Sequence, residues 1–220
     1  MKKRFSTKEL TTLAMITAIA YVLVTTIRIP VVLFLKYEPK DVIITIGGFL
    51  LGPGAVLITS GVVSLIEMVS ISDTGIIGCI MNFLSTCSFA CVAALIYKRN
   101  HTIRGAITGL AVGTVFMTVV MLLWNYLITP LYMGVAREDV AAMLIPAFLP
   151  FNLIKAGLNS SITLLLYKPL VTGLRKAGLI TASAPSAASA PAGKKPFVLI
   201  FAGLLLITCV LFVLVMRGII

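Results

Sequence analysis

Residues 105–128 read GAITGLAVGTVFMTVVMLLWNYLI, a run of 24 residues without a charged side chain. A helix needs about 20 apolar residues to cross the hydrocarbon core of a bilayer, so this run is long enough to span it. It does not alternate between apolar and polar residues as a strand of a membrane barrel would, and this favours a helix. The run therefore predicts a transmembrane helix that ends before Pro130.

The rest of the chain has the same character. Of its 220 residues, 60% are hydrophobic and 11% are charged, whereas soluble domains average about 45–50% apolar and about 25% charged residues. Further apolar runs predict an all-α integral membrane protein with about six or seven transmembrane helices. The second predicted span is short, and the sixth is interrupted by Pro146 and Pro150. These further spans are residues 10–29, 41–51, 55–71, 76–97, 141–170 and 196–216.

A change in composition divides the chain into three parts. Residues 1–176 contain the first six spans and form the predicted membrane domain. Residues 177–195 include TASAPSAASAPAG at positions 181–193, whose small residues and prolines predict a flexible linker. Residues 196–220 carry one additional C-terminal transmembrane helix, for which the sequence suggests only a peripheral anchor or a regulatory contact.

The formal net charge of +11 predicts an orientation in the membrane rather than a nucleic-acid partner. The basic residues cluster at the ends of the predicted spans and form no stripe with interleaved aromatic residues. With the N-terminus inside, twelve of the 18 lysines and arginines lie on the cytoplasmic side and five outside. The positive-inside rule therefore predicts a multi-pass protein of the cell membrane with a cytoplasmic N-terminus.

Motifs for catalysis and for metal or phosphate binding do not occur. The glycine-rich residues 47–54 lack the Gly-Lys-Ser/Thr of a phosphate loop, and no HExxH or GxSxG is present. The only histidine, His101, falls in a predicted cytoplasmic loop, and the acidic residues are not spaced as a metal pair. Four cysteines lie in apolar runs without a nearby histidine or carboxylate, which favours small buried residues over a metal site. These cysteines are Cys79, Cys87, Cys91 and Cys209. We therefore expect no enzyme activity, cofactor or metal; a membrane enzyme acting on lipids is the weaker alternative.

Polar residues inside the spans predict a ligand site. Lys155 lies within the sixth span and Glu67 late in the third, and charges at membrane depth are functional candidates because burying them is costly. Asn82, Asn125 and Lys155 fall toward the outer half of the membrane, where Trp124 could form a wall, and four asparagines in all gather in the last three spans of the bundle. They are Asn82, Asn125, Asn152 and Asn159. The alternatives are that Lys155 extends to the membrane surface and that the asparagines only join helices, as in a purely structural subunit.

Several short motifs, in this order, resemble the substrate-binding S components of energy-coupling factor (ECF) vitamin transporters. The likeness covers about residues 8–176 and is strongest to the riboflavin-specific members. The motifs are Ala14-x-x-x-Ala18, GGFLLGP at 47–53, GCIMNF at 78–83, WNY at 124–126, PLY at 130–132 and PFNLIK at 150–155. The additional span at 196–216 lies outside the resemblance.

This resemblance implies a six-helix S-component bundle that binds a vitamin, most simply riboflavin, from outside the cell as a transported ligand rather than a cofactor. It also implies three partners, a transmembrane coupling subunit that docks on Ala14 and Ala18 and two cytoplasmic ATPases. Asn125 and Lys155 match positions that contact the flavin, and the loop at 31–40, with Tyr37, would close over the site. Residues 36–43 read KYEPKDVI and include Asp41, a further candidate ligand contact. This segment differs from the one usual in the riboflavin-specific members. A thiamine-like or pantothenate-like solute, or flavin mononucleotide (FMN), is therefore the alternative ligand.

Overall fold

Long helices form wherever the sequence is continuously apolar. The computed structural model of the chain describes residues 6–176 and 195–216. The longer helices are α1 (Thr7–Thr26), α3 (Pro53–Ser70), α4 (Gly75–Arg99), α5 (Ile103–Met133), α7 (Leu149–Lys176) and α8 (Lys195–Met216). The short helices are α2 (Lys40–Leu51) and α6 (Arg137–Met143). The predicted linker at 177–195 falls outside the described residues, apart from Lys195 at the start of α8.

Five helical stretches in the described part of the chain are long and apolar enough to cross a membrane, and the last of them runs from Arg137 to Tyr167. The apolar part of α8, Ala202–Val215, is shorter. Large apolar side chains such as Val69 and Leu131 are mostly exposed on the outside of the bundle, as lipid contact requires. The protein is thus a mainly helical membrane protein, and the count of six spans plus one stays a prediction.

Local signals set where the helices begin and end. At α1, the Ser6 hydroxyl accepts from the backbone N–H of Glu9 while the Glu9 carboxylate accepts from that of Ser6, a complete capping box. Gly52, with φ of 92°, separates α2 from α3, and Pro53 occupies the first turn of α3, where its missing N–H costs nothing. These signals explain why the second and third spans meet within a few residues of the predicted boundary.

Prolines interrupt the helices less than the sequence suggests. α5 continues through Pro130 to Met133, although the span was predicted to stop before that proline, because the last turn still closes with Gly134 N–H donating to the Pro130 carbonyl. Pro146 lies in a π-helical turn, Leu144–Phe148, that joins α6 to α7. Pro150 lies in the first turn of α7, so this helix starts at Leu149 rather than at the predicted residue 151.

A β-hairpin spans residues 29–37 and so overlaps both the end of the first predicted span and the segment 31–40 that is predicted as a loop. Strand β1 (Ile29–Val32) pairs antiparallel with β2 (Leu35–Tyr37), and Ile29 lies opposite Tyr37. The predicted loop is therefore a short two-stranded element within a mainly helical fold. β-Branched residues on β1 favour the extended strand, and a turn at Leu33, with φ of 49°, reverses the chain.

Helix α2 runs through the middle of the bundle. Its residues 40–49 are all buried, and it packs against α1, α3, α4 and α7. A helix that is apolar on all sides is expected to be buried on all sides. At Gly48 a Cβ atom would lie 2.5 Å from Val56 Cγ2, so glycine permits the close contact between α2 and α3. This position brings Lys40 and Asp41, at the start of α2, into the interior below the hairpin.

Candidate functional site

A cavity of about 210 Å³ lies between the hairpin and the neighbouring ends of α4, α5 and α7. This volume is far above the roughly 10–15 Å³ that one buried water molecule needs. Apolar walls and a few polar groups line it together, as is usual for small-molecule sites. The apolar lining residues are Phe34, Leu35, Met81, Met121, Tyr132 and Phe151. The polar ones beneath the rim are Asn82, Ser85, Asn125, Asn152 and Lys155.

Half of the residues predicted as a ligand site meet in this cavity: Asn82, Asn125, Asn152 and Lys155 all line it. Trp124 instead lines a small adjacent cleft of about 10 Å³.

The other three predicted residues form a buried layer that supports the cavity without lining it. Tyr37 Oη donates to Asn159 Oδ1 over 3.1 Å, and Asn159 Nδ2 donates to Asp41 Oδ2 over 3.2 Å. Asp41 also accepts from the Thr86 hydroxyl over 2.6 Å. The layer therefore joins β2, α2, α4 and α7 directly below the site.

The cavity asparagines are oriented by the protein. Asn82 Nδ2 donates to Glu67 over 2.8 Å, Asn125 Nδ2 to the Met121 carbonyl over 2.7 Å and Asn152 Nδ2 to the Phe148 carbonyl over 2.8 Å. Among the described residues, nothing donates to the side-chain oxygens of Asn82 and Asn152. An amide oxygen accepts hydrogen bonds, so the cavity presents acceptors to N–H and O–H groups of a ligand.

Lys155 is held inside the bundle and does not extend to the membrane surface. Its side chain is 7% exposed, its Nζ donates to the Ser85 hydroxyl over 3.2 Å and lies 3.4 Å from Asp41 Oδ2. A buried ammonium group needs such a counterion. It also has three N–H donors, so it can serve these two neighbours and still donate one hydrogen bond into the cavity.

Buried ion pairs connect the hairpin to the bundle. Lys40 is only 1% exposed, and its Nζ lies 2.5 and 2.6 Å from the two carboxylate oxygens of Glu67 and 2.9 Å from Glu38. Arg28 pairs with Glu38 over 2.9 Å and donates to the Ile71 carbonyl. The sequence indicated Glu67 as a candidate but placed Lys40 in an outer loop. In the structure, both side chains belong to the buried ion pairs that join the hairpin to the bundle.

Three ionisable side chains in the loops beside the cavity have shifted pKa values, namely Glu38, Asp73 and Tyr37. Burial alone would raise the pKa of Glu38, but the positive charges of Lys40, Lys155 and Arg28 outweigh it and hold this pKa below its ordinary value. A hydrogen bond from Lys36 and its charge lower the pKa of Asp73. Burial, reinforced by the negative charge of Asp41, raises the pKa of the Tyr37 phenol, which therefore stays neutral and able to donate.

Several lining residues escaped sequence reasoning. Phe34 and Leu35 lie on the hairpin and Met81, Met121 and Tyr132 on α4 and α5, and apolar residues inside apolar runs carry no signal of their own. Within residues 6–176 and 195–216, no group of three or more His, Cys, Asp or Glu side chains could hold a metal ion. The cavity is thus suited to bind a partly aromatic, partly polar organic molecule.

Ala14 and Ala18, predicted as a docking surface, lie on the outer face of α1. The opposite face of this helix buries Leu13, Ile16 and Ala20 in the bundle. Both alanines are exposed, so another helix could approach α1 closely at this point.

Several known proteins are similar to this chain in sequence or in structure. Residues 8–167 match the family described as ECF transporter, substrate-specific component. The riboflavin transporter RibU of Staphylococcus aureus is 32% identical over 77% of this chain and 93% of its own length. RibU of Streptococcus thermophilus is 29% identical over 78% of this chain and 86% of its own. A solved structure of the S component of a bacterial ECF transporter superposes with a TM-score of 0.65 and 34% identity, and the match covers 76% of this chain and 98% of that one.

Proposed function

The chain belongs to the family of ECF transporter substrate-specific components, which bind and do not chemically convert their substrate, and from this premise we propose that it binds riboflavin for import into the cell. Two relatives carry the name riboflavin transporter, and both match over more than three quarters of this chain. Riboflavin serves in this proposal as transported substrate and not as a cofactor.

One observation carries the proposal: the convergence of Asn82, Asn125, Asn152 and Lys155 in a cavity with aromatic walls. Riboflavin has a planar ring system with an imide edge, and its sugar-alcohol chain carries several hydroxyl groups. The amide oxygens of Asn82 and Asn152 suit the N–H and O–H groups of such a ligand. The ring can lie against Phe34, Tyr132 and Phe151, since aromatic side chains bury large areas in preferred stacked or edge-on geometries.

The partners follow from the family. An ECF module with a transmembrane coupling subunit and two cytoplasmic ATPases would supply the energy for transport, and Ala14 and Ala18 would form the docking surface. The excess of basic residues in the predicted cytoplasmic segments supports a cytoplasmic N-terminus. Residues 1–176 then form the binding domain in the cell membrane, with the cavity open to the outside.

Riboflavin titration of the purified protein, followed by quenching of flavin fluorescence, tests the proposal. Lys155→Met should weaken binding about 10- to 100-fold, because a hydrogen bond from a charged group is worth roughly 1.5–3 kcal/mol. Asn152→Ala should weaken it by about one decade. Lys98→Met is the matched control, because this lysine is exposed at the far end of α4.

The alternatives make different predictions in the same assay. If the site takes another vitamin, riboflavin will not bind, and a thiamine-like or pantothenate-like solute will stabilise the protein against heat. If it takes FMN, the phosphate ester will displace riboflavin in competition. Equal affinity of the wild type and Lys155→Met for riboflavin would show that the cavity is not the binding site.

A further inference from the structure

Helix α8 lies outside the family match, which ends at residue 167, and yet it packs on the binding domain. It runs along α7 and also contacts strand β1 of the hairpin. Lipid can cover an apolar helix without any help from the bundle, so helix pairs in membranes depend on a close fit of their side chains. The contact between α7 and α8 has such a fit.

The two helices approach each other closely at Gly157 of α7. A Cβ atom built on this glycine would lie 2.9 Å from Cys209 Sγ of α8. Ala202 and Cys209 are buried on the same side of α8, whereas Leu204 and Ile207 are exposed on the other. Glycine at 157 therefore permits this close approach, and a bulky side chain such as leucine would force the two helices apart.

The buried side of α8 reaches the wall of the ligand cavity. Cys209 shares an apolar cluster with Val31 and Leu35 of the hairpin and with Phe151 of α7. Leu35 and Phe151 line the cavity themselves. The hairpin is thus packed between the cavity on one side and α8 on the other.

We propose that α8 is an intramolecular brace that holds the hairpin against α7 and so slows release of the bound ligand. Packed side chains have a fixed shape and restrain their neighbours, which fluid lipid chains do not. Ala14 and Ala18 remain exposed with α8 in place, so the brace is compatible with docking of a partner on α1. The proposal rests on the proposed function for the identity of the ligand, but not for the packing of α8.

Disulfide formation tests the packing without any ligand. In a disulfide the Cβ atom of one cysteine lies about 3 Å from the sulfur of the other, which matches the 2.9 Å between the Cβ position of Gly157 and Cys209 Sγ. We would replace Cys79, Cys87 and Cys91 by alanine, introduce Gly157→Cys and insert a protease site in the segment 181–193. After oxidation and cleavage, the two fragments should stay together on a non-reducing gel.

Gly173→Cys is the matched control on the same helix, because nothing lies within 4 Å of a Cβ atom at that exposed position. Its fragments should separate after cleavage. Fragments of Gly157→Cys that also separate would overturn the packing of α8 and with it the brace.

Release kinetics test the functional half of the proposal. Gly157→Leu should speed up riboflavin release about tenfold, because overpacking one close contact is enough to shift a conformational equilibrium by about a decade. Gly173→Leu should leave release unchanged. Gly157→Ala should cause a smaller acceleration, and adding Cys209→Ala should reverse it by making room. A direct effect on α7 would not be reversed by a change on α8.

Hydrogen exchange of the backbone amides at 29–37 supplies a readout that needs no ligand. Exchange should be faster in Gly157→Leu than in the wild type and in Gly173→Leu. Unchanged exchange and unchanged release in Gly157→Leu would overturn the brace. If the wild type binds no riboflavin, only the proposed function is refuted. Disulfide cross-linking and hydrogen exchange would still decide the role of α8.

Discussion

Replacing Lys40 by methionine should destabilise the protein severely, although this lysine does not line the cavity. The Lys40 ammonium lies 2.5 and 2.6 Å from the oxygens of Glu67 and 2.9 Å from Glu38, and all three side chains are at most 4% exposed. After Lys40→Met, the direct polar contacts that remain to these two buried carboxylates among the described residues are Arg28 to Glu38 and Asn82 to Glu67. Removing one partner of a buried ion pair costs roughly 3–5 kcal/mol.

Thermal unfolding in detergent measures this loss. For a chain of this size, each kcal/mol corresponds to roughly 2–4 °C in melting temperature, so Lys40→Met should lower it by roughly 6–20 °C. The second change Glu67→Gln should recover part of the loss, because it removes one of the uncompensated charges while keeping the shape of the side chain.

Lys36→Met is the control for a surface pair. Lys36 lies 2.7 Å from Asp73, but the side chains are 33% and 75% exposed. Exposed pairs contribute little to stability, so the melting temperature should not change measurably. Equal effects of Lys36→Met and Lys40→Met, or no recovery on adding Glu67→Gln, would refute the assignment of Lys40 as a buried tie.

Two further predictions concern α1 and the hairpin. Ala18→Leu should leave riboflavin binding by the purified protein intact and abolish uptake by cells, because a large side chain prevents close helix approach. Val22→Leu on the same exposed face is the control. Normal uptake by Ala18→Leu would contradict a docking role. The pKa of Glu38 is lowered, so its ion pairs are fully present above the ordinary value of 4.5 and are lost as the pH falls through the lower value in the folded protein. Riboflavin binding should therefore weaken only below about pH 4.5. Glu38→Gln should remove this pH dependence of binding. If the wild type and Glu38→Gln show the same dependence of riboflavin affinity on pH, Glu38 is not its source.

The sequence predicts the long helices well because length and hydrophobicity alone decide them. The apolar run that forms α5 is 24 residues long without a charge, and only a helix satisfies the backbone of such a run by hydrogen bonds within the segment itself. The hairpin was not predicted, because two strands of four and three residues carry too little pattern to separate them from a loop. The passage of α5 through Pro130 does not follow from the rule that proline ends a helix, because transmembrane helices tolerate proline where neighbouring groups satisfy the freed backbone carbonyl.

The sequence indicates which polar residues form the site, but it does not indicate which of the buried charged residues pair with one another. Lys155 and the cavity asparagines are conspicuous because polar groups are rare in spans, whereas Lys40 sits next to a proline and among other charged residues and resembles an ordinary loop residue. What places Lys40 inside is the all-round apolar character of α2, which carries its own first residues into the interior. Once there, an ammonium must find carboxylates, and Glu38 and Glu67 are the two it contacts. The burial of α2 therefore determines how the hairpin is tied to the bundle, and with it the outer wall of the cavity.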